Sequence, residues 1–126
     1  MTDANLLSPS VLAFVGDAVY ELLARKYTAS VNRPSSDLHG TCVKIVCASA
    51  QADAFRSIEP LLSENELSVF KRGRNFHTGN VPKNATSAQY HTATGLECLF
   101  GYLYLSGNQE RAVELFNIII IKSEKG

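Results

Sequence analysis

Two acidic residues stand in apolar segments of this chain and are its strongest candidates for chemistry. Asp17 lies within Phe-Val-Gly-Asp-Ala-Val, residues 14–19, and Glu97 lies within Leu-Glu-Cys-Leu-Phe-Gly-Tyr-Leu, residues 96–103. A lone charge is costly to bury among apolar side chains, so we expect both acids to be buried and to have a partner. Two facing carboxylates repel each other, and a divalent cation or a shared proton relieves the repulsion.

Magnesium is the cation that this pair of acids favours. Mg2+ takes oxygen ligands and keeps several waters, so two protein carboxylates are enough to hold it and phosphate can take a further position. Such an ion can acidify a water molecule that attacks phosphorus. The alternative is an ordinary ion pair with Arg25, Lys26 or Arg111, and for either acid alone that arrangement is the commoner one.

Helical spacing of three and four residues predicts what surrounds the two acids. Glu21 shares a helix face with Asp17 and is a candidate to assist it, as Thr94 is for Glu97. Gly95 and Gly101 lack side chains that would hold another helix away. We therefore expect the two helices to pack closely, with their carboxylates facing.

The composition is that of a globular protein, and we expect one domain over residues 1–126. Hydrophobic residues make up 45% and charged residues 19% of the chain. No apolar stretch reaches the ~20 residues that span a bilayer, and no secretory signal is visible, so we expect a cytoplasmic protein without a membrane segment. The three cysteines, 42, 47 and 98, form no Cys-x-x-Cys pair; we expect reduced, mostly packed thiols, and a zinc site is disfavoured.

The net charge of zero conceals a basic middle of the chain. Residues 67–96 contain no Asp or Glu but carry four cations, Lys71, Arg72, Arg74 and Lys83. Bases at the end of a helix that begins with acids match the helix dipole, so a solvated helix end remains an alternative to a nucleic-acid contact.

The hydrophobic pattern predicts an all-helical protein. A first helix over residues 9–26 begins at Ser8 and Pro9, and a polar connection over 30–36 leads to a second helix that runs to about residue 57. A capping box at Ser63 opens a third helix to about residue 74. Residues 75–86 form an exposed loop, a fourth helix reaches residue 106, and a fifth begins after Gly107.

The segment around Asp17 closely resembles the first acidic motif of the ribonuclease III family. The segment around Glu97 is similar to the second motif, in which the Glu precedes Gly-x-x-Tyr-Leu. The resemblance is closer still to the small branch called Mini-ribonuclease III, which lacks the double-stranded RNA-binding domain. Residues 71–75 and 78–84 are similar to the characteristic loop of that branch.

This resemblance implies an all-α, ribonuclease III-like endonuclease domain of about five to seven helices that acts as a homodimer. It implies cleavage of double-stranded RNA with Mg2+, in maturation of the 23S ribosomal RNA precursor and in a ribosomal protein context. Asp17 and Glu97 would be the catalytic metal ligands, and Phe14 and Val15 would lie at the dimer contact. The RNA-binding residues would be Arg72, Arg74, Asn75, Lys83 and Asn84.

The chain has fewer acids than the larger family. Where that family has further carboxylates, this chain has Ser10 or Ala13 before Asp17 and Thr94 before Glu97. Glu21, water and RNA phosphates are candidates to complete the metal's ligands. The missing acids also motivate an alternative function, a non-catalytic RNA-binding or ribosome-assembly module with the same fold. A helical nucleotide phosphohydrolase is less well supported, because the chain has no His-Asp dyad.

Overall fold

The structure is a computed structural model that describes residues 3–30, 34–76 and 85–125. Within these ranges the chain forms six α-helices, two short 3-10 helices and no strand. The α-helices are α1 (Pro9–Ala29), α2 (Ser35–Val46), α3 (Ala48–Ile58), α4 (Glu64–Arg74), α5 (Ser87–Leu105) and α6 (Gln109–Lys125). The predicted all-α class and the five to seven helices that the resemblance implies are confirmed. None of the described helices is long and apolar enough to cross a membrane.

Hydroxyl side chains begin three of the helices, as the sequence predicts. The Ser8 hydroxyl accepts a hydrogen bond from the Val11 amide at the start of α1. Ser63 and Glu66 form a capping box at the start of α4, and Thr86 with its Gln partner forms another at α5. Gly107 follows α5 with a φ of 82°, a left-handed conformation in which Gly is favoured.

The sequence predicted one helix where the structure has two, so the prediction was wrong at the centre of that helix. Cys47 has an extended backbone, with φ −67° and ψ 159°, and separates α2 from α3. Three β-branched residues, Val43, Ile45 and Val46, precede it and weaken the helix there. The break lets α2 pack against α1 while α3 packs against α5 and α6. Cys47 is exposed, whereas the other two cysteines are buried, so only those two are packed as expected.

Helix α5 is the central element, because α1, α3, α4 and α6 all pack against it. Its buried side chains include Leu96, Leu99, Phe100 and Leu103. Tyr20 of α1 meets Phe100 edge to face, with ring centroids 5.1 Å apart. A helix surrounded in this way has one defined orientation, so a side chain on it has a fixed position relative to its neighbours.

Two glycines bring the backbones of α1 and α5 into direct contact. A Cβ at Gly16 would lie 1.6 Å from the Glu97 carbonyl oxygen, and a Cβ at Gly101 would lie 2.0 Å from the Leu12 carbonyl oxygen. Neither position has room for any side chain. The close approach predicted for Gly101 is thus confirmed, and Gly95 has the same role toward α4, where a Cβ would lie 2.7 Å from Phe70.

Gly16→Ala should destabilise the fold strongly, because the added methyl group would overlap a backbone oxygen that cannot rotate away. We expect a loss of about 3 kcal/mol or more in the free energy of unfolding, measured by urea denaturation. Gly40→Ala is the matched control. Gly40 is also helical, but a Cβ there meets nothing within 4 Å, so we expect unchanged or slightly higher stability. Equal effects of the two substitutions would contradict the close helix crossing.

Candidate active site

The crossing of α1 and α5 brings Asp17 and Glu97 together. Asp17 follows Gly16, whose α-carbon abuts the Glu97 backbone, and the two carboxyl groups are close enough for the charge of Asp17 to act on Glu97. The sequence prediction that these helices face their acids toward each other is therefore confirmed. The expected burial of both acids is not confirmed, because Asp17 is exposed and Glu97 is only half-buried. Asp17 avoids the cost of burial because its side of α1 is open to solvent.

The environment of Glu97 favours its protonated form when no cation is present. Burial, and after it the negative charge of Asp17, raises the pKa of Glu97 to about 7. A hydrogen bond from the Gln51 side chain acts in the opposite direction and lowers the pKa. Two carboxylates in this position gain from a positive charge that offsets their repulsion.

The cations considered as ion-pair partners lie elsewhere. Arg25 pairs with Glu21 across 3.7 Å, and Arg111 binds Glu66 across 2.8 Å and also contacts Glu114. Lys26 is exposed. In the part of the chain that the structure describes, neither Asp17 nor Glu97 has a Lys or Arg nitrogen within ion-pair distance. Among the described residues, an ordinary ion pair therefore does not account for these two acids.

The two side chains proposed to assist the acids have other partners. Glu21 Oε2 accepts a hydrogen bond from the Cys42 thiol at 3.1 Å, in addition to its pairing with Arg25. The Thr94 hydroxyl donates to the Tyr90 carbonyl oxygen at 3.0 Å. Sequence reasoning missed the side chain that does reach Glu97. Gln51 Nε2 lies 3.4 Å from Glu97 Oε2, and Gln51 stands in an alanine-rich segment, residues 48–52, that has no local signal of function.

The remaining groups near Glu97 are poor nucleophiles and poor bases. The pKa of the Tyr20 hydroxyl is raised by burial and then by the charge of Glu97, so this group keeps its proton. Burial, together with the charge of Glu97, raises the pKa of the Cys98 thiol to about 11. The thiol donates to the Pro9 carbonyl oxygen at 3.1 Å. Neither of these two side chains is therefore a ready nucleophile or base.

The side chains at the site fit a hard divalent cation. Among the described residues no three His, Cys, Asp or Glu side chains converge, but Gln51 adds an amide oxygen to the two carboxylates. That oxygen is buried and has no hydrogen-bond partner among the described residues. A set of oxygen donors, few in number, suits Mg2+, which keeps water in its other positions.

The predicted RNA-binding residues fall partly within the described chain. Arg74 and Asn75 are exposed at the end of α4 and hydrogen-bond to each other at 3.3 Å. Arg72 is half-buried and donates to the carbonyl oxygens of Asn5 and Leu7, at 3.2 and 2.8 Å. Lys83 and Asn84, with the rest of residues 77–84, lie outside the described residues.

The predicted dimer residues lie on the open side of α1. Phe14 is 81% exposed and Val15 is half-buried. Leu22, two turns further along the helix, is 65% exposed. Large apolar side chains exposed in a row on one helix are unusual for a surface that faces only water.

In the absence of metal, Glu97→Gln should stabilise the chain above neutral pH. The folded chain holds the Glu97 proton up to a pKa of about 7, whereas an unfolded chain releases it near 4.3. Wild-type stability should therefore fall as pH rises from about 4.3 to 7, since the unfolded state gains by losing this proton. Gln carries no charge, so at about pH 8 we expect Glu97→Gln to be more stable by about 1–3 kcal/mol.

Urea unfolding with EDTA, at about pH 4 and pH 8, measures this effect. The difference between variant and wild type should be largest at the higher pH. The same difference at both pH values, or a less stable variant at pH 8, would contradict the raised pKa.

Comparison with known proteins relates these observations to a family. Residues 10–108 match the Ribonuclease III domain. Mini-ribonuclease 3 of Clostridium tetani is 42% identical over 120 residues, covering 94% of this chain and 80% of the relative. Mini-ribonuclease 3 of Enterococcus faecalis is 39% identical over 125 residues, covering 97% and 95%. A crystal structure of a Fusobacterium nucleatum protein superimposes with a TM-score of 0.87 at 32% identity, covering 98% of this chain and 99% of that one.

The matched residues include both acids and the helices that carry them. The relatives favour a nuclease over the non-catalytic module and the nucleotide phosphohydrolase that the sequence left open. RNA is accordingly the substrate. The chain belongs to the ribonuclease III family, among the Mini-ribonuclease 3 proteins, and is an endoribonuclease of the ribonuclease III type.

Proposed function

We propose that this endoribonuclease uses Mg2+, cuts double-stranded RNA and matures the 23S ribosomal RNA precursor, with residues 1–126 acting as one catalytic domain. The observation that carries the proposal is the meeting of Asp17 and Glu97 at the crossing of α1 and α5. Enzymes of this family use a divalent metal, and oxygen donors favour Mg2+ over softer ions. The ribosomal RNA substrate and the ribosomal protein context rest on the resemblance of the sequence motifs to Mini-ribonuclease III.

The two acids have different roles in this proposal because their surroundings differ. Asp17 is exposed and can meet an RNA phosphate with its cation at the surface. Glu97 is half-buried and held by Gln51, so it fixes the position of the site relative to the core. A bound divalent cation would supply an acidified water and offset the negative charge that develops at phosphorus.

The basic end of α4 supports a contact with duplex RNA. Gly73 packs against Gly95 and Cys98, so this end lies beside the turn of α5 that carries Glu97. Arg74 is exposed there and suits a phosphate, and Asn75 suits a 2′-hydroxyl. Arg72 donates hydrogen bonds to the amino-terminal segment, so we expect it to contribute less to RNA binding than Arg74 does.

Homodimer formation is supported by the apolar row on α1. Covering Phe14 and Leu22, which are 81% and 65% exposed, would gain about 1.5–3 kcal/mol for each fully buried side chain. Asp17 lies between them in sequence on the same helix. A partner on this face would therefore set two sites near one another, as cutting both strands of a duplex requires.

Asp17→Asn should abolish cleavage of a duplex RNA and of a 23S precursor in Mg2+, by about a hundredfold or more, because one of two carboxylates loses its charge. Gel analysis of the products over time measures the rate. Asp53→Asn removes another exposed carboxylate, on α3, and should cleave normally. Cleavage by Asp17→Asn at the wild-type rate would overturn the proposed function.

Arg74→Ala should weaken duplex RNA binding and reduce the slope of affinity against salt by about one counterion. Fluorescence anisotropy with a labelled duplex, in Ca2+ and at several salt concentrations, measures both. Arg56→Ala is the control, since Arg56 is also exposed but pairs with Asp53 on α3. If the two variants bind alike, the basic end of α4 is a solvated helix end.

Phe14→Glu should convert a dimer to a monomer, because a charge would replace the most exposed ring on α1. Sedimentation equilibrium measures the mass, and circular dichroism checks the helix content. Val43→Glu places the same charge on an exposed apolar position of α2 and should leave the dimer intact. A wild-type monomer at tens of micromolar would contradict the proposed homodimer.

A further inference from the structure

Gln51 lies at the break between α2 and α3 and reaches the acidic pair. The Gln51 side chain is buried, with 3% of its surface exposed. Its Nε2 donates to the Val46 carbonyl oxygen at 2.9 Å and to Glu97 Oε2 at 3.4 Å. The first contact satisfies the Val46 carbonyl oxygen at the end of α2, where no further helical turn supplies an amide to donate to it. The second holds one oxygen of Glu97.

The first of these contacts also determines which way the amide points. The Val46 carbonyl oxygen, 2.9 Å from Nε2, can only accept a hydrogen bond, so exchanging the amide oxygen and nitrogen would bring oxygen against oxygen there. The amide nitrogen therefore makes its hydrogen bonds to protein oxygens. Gln51 Oε1 is left as the free end of the group.

Gln51 Oε1 is buried and has no hydrogen-bond partner among the described residues. A buried acceptor without a partner is costly, and such groups in proteins commonly bind water or an ion. Amide oxygen and nitrogen lie about 2.2 Å apart, so Oε1 is within about 5.6 Å of the oxygen of Glu97 that the nitrogen contacts. That separation accommodates a cation on Glu97 and one of its waters.

We propose that Gln51 is the third polar residue of the metal site, a positioning residue that holds Glu97 through Nε2 and accepts a hydrogen bond from the hydrated cation through Oε1. This inference rests on the proposed function. It gives Gln51 part of the role that additional carboxylates have in the larger family, where this chain has Ser10 and Thr94. Glu21 does not take that role, because its carboxylate is engaged by Cys42 and Arg25.

A purely structural role for Gln51 makes a different prediction. If Gln51 only bonds the end of α2, its loss lowers stability but leaves metal binding unchanged. If it belongs to the metal site, its loss weakens metal binding in RNA-free protein, by the 10–100-fold typical of residues that orient metal ligands. Metal affinity measured without substrate separates the two roles.

The experiment measures Mn2+ binding to the RNA-free full chain by electron paramagnetic resonance, with the Mg2+ concentration for half-maximal cleavage as a second readout. Gln51→Met keeps the length of the side chain and removes the amide. Gln51→Glu keeps an oxygen and adds a charge. Thr28→Val is the matched control, because Thr28 is another buried polar residue, 3% exposed, and lies eleven residues from Asp17 on α1, about 16 Å along the helix.

We expect Gln51→Met to bind Mn2+ at least tenfold more weakly than wild type, and Gln51→Glu to bind it severalfold more weakly because it too lacks the Nε2 that holds Glu97. Thr28→Val should bind it as wild type does. Wild-type Mn2+ affinity in Gln51→Met overturns the inference. If Gln51→Met does not fold, wild-type Mn2+ affinity in Gln51→Glu overturns it instead. Cleavage by Asp17→Asn tells the two failures apart. If only the role of Gln51 is wrong, Asp17→Asn still fails to cleave RNA; if the proposed function is wrong, Asp17→Asn cleaves normally.

Discussion

The contact between the backbones of α1 and α5 at Gly16 and Gly101 is the constraint on which the site depends. Each glycine occupies a place where a methyl group would overlap a carbonyl oxygen of the opposite helix. Because Asp17 adjoins Gly16, and Glu97 supplies the carbonyl that Gly16 touches, the contact that joins the helices also joins the acids. No flexible loop stands between the core and these two residues. Packing therefore determines the geometry of the carboxylates.

The same arrangement carries a cost in the metal-free chain. Glu97 is half-buried beside Asp17, and both burial and that charge raise its pKa to about 7. A salt bridge would relieve the repulsion, yet no described Lys or Arg nitrogen lies within ion-pair distance of either acid; Arg111, for example, pairs with Glu66. Charge repulsion retained inside a well-packed structure is a common property of functional sites. A divalent cation bound between the two acids would relieve it.

The sequence predicted those parts of the fold that depend on local signals. Ser63 with Glu66, and Gly107, have local functions as cap and helix end, and both were placed correctly. The break at Cys47 was missed, because nothing but a short β-branched run marks it and the reason for it is the packing of α3 on α5. The exposure of Asp17 was also missed, since an apolar neighbourhood in sequence does not reveal which side of a helix faces the core.

Gln51 is the part of the candidate site that could not be predicted from the sequence. A Gln among alanines has no local signal of function, and its two contacts join residues 5 and 46 positions away in sequence. Only the folded chain brings the end of α2, the start of α3 and the middle of α5 together. Paired acids, in contrast, could be found from sequence because each stands out from its own apolar surroundings.

The proposed function requires a divalent cation between Asp17 and Glu97. Paramagnetic broadening by Mn2+ in the amide NMR spectrum of the isotope-labelled, RNA-free chain locates such a cation. We expect sub-stoichiometric Mn2+ to broaden the signals of residues near 17 on α1, 97 on α5 and 51 on α3 first, and excess Mg2+ to reverse the effect. Broadening centred on another acidic group, such as Glu110 and Glu114 on α6, with the signals near residues 17 and 97 unchanged, would contradict the proposal.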